Sequence, residues 1–107
     1  MTHVTVVQAL SPFAAELRES LVRQGRDDLA TQLLPLPLVD RCRCGDDFCA
    51  TFYTSKRPAG SYGAGHSNLV VESREGMIIL DLVQDRIHCV EVLYRPDVRD
   101  ALFAVLP

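Results

Sequence analysis

Between Ser11 and Gly25 the apolar positions Phe13, Leu17 and Leu21, with Ala14 beside them, recur on one side of a 3.6-residue period. Ser11 suits an N-cap, Pro12 the first helical position and Gly25 the C-terminal stop, so the pattern predicts a helix over 11–24. Before it, the β-branched run Val4, Thr5, Val6 and Val7 predicts an extended segment within 3–10. After it, Asp27 or Asp28 can cap a short second helix that presents Leu29 and Leu33 inward until Pro35 ends it.

From Val39 the pattern changes to strands. Residues 39–44 and 48–54 flank "GDD" as a first hairpin, and 77–83 and 86–94 flank Gln84-Asp85 as a second. Residues 69–73 read as one more strand, while Pro58, Gly60, Gly63 and Gly65 break the stretch 56–68 into a loop. Pro96, Val98, Ala101, Leu102 and Val105 then mark a closing helix over 96–105. Helices first, consecutive strands next and a helix last predict an α+β class: one domain over 1–107, an antiparallel sheet of about five strands with helices packed on one face.

Composition changes this picture little. At 107 residues, 48% apolar and 23% charged, the chain has the make-up of an ordinary globular domain. The net charge of −3, with arginines scattered along the chain, argues against nucleic acid as a partner. No apolar run approaches the ~20 residues of a membrane span, and "MTHVTVVQALS" lacks a basic segment before an apolar one. The expected location is the cytoplasm, where thiols stay reduced.

That expectation bears on "DRCRCGDDFCATFYTSK", which holds three of the four cysteines. With the turn centred between Asp46 and Asp47, Cys44 lies opposite Cys49 and Cys42 opposite Thr51. A period of two then puts all three sulfurs on one face and Arg41 and Arg43 on the other. Three readings follow. The thiols are small buried hydrophobes filling the sheet; or Cys42, Cys44 and Cys49 are ligands of zinc or another soft metal, with His66, His88 or Cys89 as the fourth; or Cys44 and Cys49 are a redox pair. The first is the simplest, because C-x-C-x4-C is not a paired zinc signature.

Other chemistry is thinner. Asp46 and Asp47 are typical turn formers, and "GSYGAGH" lacks the Gly-Lys-[Ser/Thr] ending of a phosphate loop. His66, Ser67 and Asp81 are the residue types of a nucleophilic triad without a nucleophile elbow. Glu91, inside an apolar strand, needs a partner if it is buried.

The segment "CRCGDDFCATFYT", together with the closing "GMIILDLVQDRIHCVEVLYRPDVRDALFAVLP", resembles a family of short stand-alone bacterial proteins of unknown function with a C-x-C-G-D-x-x-C hairpin. The resemblance implies a bacterial cytosolic α+β protein and no activity. The expected function is a non-catalytic binding or regulatory module acting through a protein partner or a homodimer, with no catalytic residues and no cofactor. The alternative is a zinc-binding or thiol-redox protein built on Cys42, Cys44 and Cys49.

Overall fold

A computed structural model describes residues 3–107. Its elements are α1 (Val6–Ala9), α2 (Ser11–Arg23), α3 (Asp27–Ala30), β1 (Asp40–Arg41), β2 (Phe52–Tyr53), β3 (His66–Val71), β4 (Met77–Val83), β5 (Arg86–Leu93) and α4 (Pro96–Val105). The strands form one sheet in the order β1-β2-β5-β4-β3, every pair antiparallel. The expected α+β architecture is therefore present.

Alternation along the strands divides the sheet into two faces. Val71 pairs with Ile78, Ile78 with Val92, Leu80 with Val90, and Phe52 with Val90, and these residues are buried under the helices. Phe13, Leu17 and Leu21 of α2, Leu29 of α3 and Val98 and Leu102 of α4 complete the same core. Phe13 meets Phe52 edge to face, ring centroids 6.2 Å apart. The other face carries Tyr53, Asp81, Cys89 and Glu91, and no helix covers it. Pairing slips by one residue between Asp81 and Leu82, which leaves His88 as an unpaired bulge residue on β5. No helix among the described residues is long and apolar enough to cross a membrane.

Four local expectations need correction. Residues 6–9 are helical, because Thr5 and Gln8 form a reciprocal capping box that outweighs the weak strand preference of the valines. Ser11 is the first helical residue rather than a cap, following Leu10, while Pro12 lies in the first turn as expected. Strand β3 begins at His66, before the expected 69, and the first hairpin pairs over far fewer residues than 39–44 and 48–54. The second hairpin turns at Gln84 and Asp85, both with positive φ (50° and 63°), as a two-residue primed turn requires.

Candidate metal centre

The ladder at the sheet edge pairs Asp40 with Tyr53 and Arg41 with Phe52. One step on, the Cys42 N–H donates to the Thr51 carbonyl at 2.9 Å, so the register is the one that sets Cys42 opposite Thr51. Beyond that point the chain turns freely. Gly45 takes a φ of +86°, and the Cys49 N–H closes the turn onto the Asp46 carbonyl at 3.2 Å. Cys49 then bridges to Leu93 on the next strand. The three sulfurs converge: Sγ of Cys42, Cys44 and Cys49 all lie within 4.8 Å of one another.

Burial overturns the simplest reading of this cluster. Cys44 is exposed, Cys42 half-buried and Cys49 the most covered of the three, while Cys89 is buried elsewhere in the sheet. The tip reaches past the end of its own ladder, where Arg99 and Phe103 of α4 flank the thiols but leave Cys44 exposed. Three thiols held together at a surface are not core filler.

The thiols also differ in acidity. Partial burial opposes ionisation of Cys49, but hydrogen bonds from the Thr51 hydroxyl and N–H, and from the Cys44 and Cys42 thiols, outweigh it and hold its pKa below the ordinary thiol value. For Cys44 the Asp46 N–H pulls the other way, yet hydrogen bonding to Cys42, desolvation and hydrogen bonding to Cys49 push it up to about 11. Of the Cys44 and Cys49 pair, Cys49 is the thiol more easily ionised.

A shallow pocket of about 200 Å³ joins the sulfurs to Arg41, Arg43, Asp46, Arg99 and Phe103. Arg41 and Arg43 were expected to point away from the thiols. Regular alternation ends with the ladder, and both instead line the thiol pocket. The guanidiniums of Arg41 and Arg99 lie over the Phe103 ring, 3.8 and 4.3 Å from its centroid. Arg41 is otherwise held by the carbonyls of Leu106 (2.6 Å) and Cys42 (3.2 Å), and the buried Nε of Arg99 has no partner among the described residues. Arg43 pairs with Asp40 at 3.2 Å.

None of the proposed fourth ligands reaches the cluster. Among the described residues no further Cys, His, Asp or Glu joins the group. The reason is topological. His66 is on β3, at the opposite edge from β1, about 19 Å away at the usual strand spacing. Cys49 sits beside Leu93, and Cys89 is four residues further along β5, about 13 Å away, with His88 beyond it.

His66 serves a different group, in which it meets Asp81, named with it from the sequence, together with Asn68 and Glu91, which were not. On the uncovered face Asp81, 6% exposed, accepts from His66 Nε2 at 2.9 Å and from Asn68 Nδ2 at 3.0 Å. Glu91 lies diagonally across from Asp81, and a hydrogen bond to it, together with desolvation and its charge, pushes the Glu91 carboxyl up to about 7. Tyr62, from the glycine-rich loop, stacks on His66 at 4.8 Å and meets His88 edge-on at 6.1 Å. Ser67 pairs with Leu82 on the core side, so the residue types of a triad are split between two faces. The available signal was the pair of acids, Asp81 and Glu91, inside otherwise apolar strands. Asp46 and Asp47 are exposed at the hairpin tip, as turn formers are.

Comparison of the chain with protein-family models, with curated proteins and with solved structures finds no match in any of the three.

Proposed function

We propose that this chain is a binding protein rather than an enzyme, and that its ligand is a soft metal ion such as zinc, held by Cys42, Cys44 and Cys49. The observation that carries the reading is the convergence of three thiols within 4.8 Å at an accessible surface. In a tetrahedral zinc site with bonds of about 2.3 Å the sulfurs stand about 3.8 Å apart, so a small closure of the tip completes three corners. Thr51 and the neighbouring thiols already favour a thiolate at Cys49, and Arg41, Arg43 and Arg99 outnumber Asp46 in the pocket around it. Deprotonation on metal binding is helped by both.

The test is metal titration of fully reduced protein against a chromophoric chelator, with cobalt as a spectroscopic substitute. Stoichiometric binding with intense sulfur-to-cobalt charge transfer, lost in each of Cys42→Ser, Cys44→Ser and Cys49→Ser but kept in Cys89→Ser, supports the reading. No charge-transfer band in the wild type sinks it.

A second reading has its own observation. The sulfurs of Cys44 and Cys49 lie within 4.8 Å of each other, and the two thiols have divergent acidities, which suits a reversible disulfide. Mass spectrometry of peptides after mild oxidation separates it from the first. A protein partner or a homodimer would meet the chain on the uncovered face, where Val70 and Met77 are exposed.

A further inference from the structure

We infer that the three-cysteine centre is built for an ion satisfied by sulfur alone in threefold coordination, and that its ligand is monovalent copper. The inference rests on the metal-binding reading above and names the ion. Its starting point is the missing fourth corner: the sheet holds His66, His88 and Cys89 at distances no local movement of the tip can close, and no other Cys, His, Asp or Glu among the described residues joins the sulfurs. A structural zinc site takes four ligands from the protein, and zinc here would have to recruit a water or another external donor. Monovalent copper is soft, prefers thiolate to oxygen donors and has no such demand.

The setting agrees with the count. Three thiolates around a monovalent ion leave net negative charge on the centre. Arg41, Arg43 and Arg99 line the same pocket against Asp46, and the buried Arg99 Nε lacks an acceptor among the described residues. Phe103 holds two of those guanidiniums in place through its ring, 3.8 and 4.3 Å from them. The exposed side of Cys44 gives the ion a way in.

The experiment uses reduced full-length protein under anaerobic conditions. Copper(I) is titrated against a chromophoric copper(I) chelator, zinc against its own chelator, and each loaded sample is examined by X-ray absorption. The expected copper form is one ion per chain with a three-sulfur shell and no nitrogen or oxygen scatterer. The expected zinc form is weaker and carries one light-atom ligand beside three sulfurs. Each of Cys42→Ser, Cys44→Ser and Cys49→Ser should lower copper(I) affinity by more than the roughly 10–100-fold that outer partners of a metal site cost, with Cys89→Ser unchanged. Circular dichroism of the metal-free variants confirms folding.

Two outcomes overturn the inference while leaving the metal reading intact: copper(I) bound by two sulfurs or as a multi-ion cluster, or zinc bound with a fourth ligand from the chain, detected by its loss in Asp46→Asn. Failure of both ions to bind removes the metal reading and this inference together.

Discussion

Arg95 grips Glu16 through two parallel hydrogen bonds of 2.9 and 2.8 Å, joining residues 79 positions apart. Arg95 is 6% exposed and also pairs with Asp97 at 3.0 Å, which fixes the loop between β5 and α4 against α2. Removing the acid strands a buried guanidinium with only part of its set. Glu16→Ala should therefore cost about 2 kcal/mol in urea unfolding with an unchanged m-value. A cost below about 0.5 kcal/mol would show that Asp97 suffices alone.

Gly76 is the turn residue that lets that loop pass. Its φ is +71°, and a Cβ placed on it would lie 2.4 Å from the Leu93 carbonyl oxygen and 2.9 Å from Arg95 Cγ. Gly45 at the thiol tip also has a positive φ, +86°, but an added Cβ there meets nothing within 4 Å. Gly76→Ala should then be destabilising by more than about 2 kcal/mol and Gly45→Ala by about 1 kcal/mol. Thermal melts of the two variants side by side check the order, and equal losses would contradict the close approach at Gly76.

The Asp81–Glu91 pair sets a pH dependence of stability. The folded chain raises the Glu91 carboxyl from its ordinary value to about 7, so the protonated form is the one that folding favours. The contribution is complete below the unfolded pKa near 4.5 and is lost as pH rises through about 7. Urea midpoints should fall between pH 5 and pH 7.5 in the wild type and fall less in Glu91→Gln. Parallel curves for the two proteins would rule out the shared proton.

In metal-free protein Cys44→Ala should change stability by less than about 0.5 kcal/mol, as for other exposed positions. Cys89→Ala removes a buried sulfur and should cost about 1 kcal/mol. With a bound ion the order reverses. The metal raises the melting temperature of the wild type and of Cys89→Ala but not of Cys44→Ala, because only an ion bound to the native state contributes. Differential scanning fluorimetry with and without metal reads both halves.

The parts of this fold that were legible in the sequence are those set by local repetition. The apolar spacing of Phe13, Leu17 and Leu21 is a property of one helix, and the placing of Cys42 opposite Thr51 follows from one turn. The core face of β4 and β5 was legible for the same reason. The short helix at Val6–Ala9 had a local signal too, in Thr5 and Gln8, which strand propensity concealed. What could not be read was what lies over each face. Whether Cys44 is covered, whether His66 reaches Asp81 and whether His88 or Cys89 can approach the thiols depend on strand order, and strand order is non-local.

Arg41 and Arg43 alternate with Cys42 and Cys44 along the tip, and they hold the carbonyls of Leu106 and Pro107 at 2.6 and 3.2 Å. The ladder beneath them is only two residue pairs long. The tip is thus tied to the segment after α4 by these bonds more than to the sheet by its own ladder. An ion bound by the thiols would therefore act on backbone some 60 residues away in sequence, and hydrogen exchange at the end of α4 should slow when the tip is loaded.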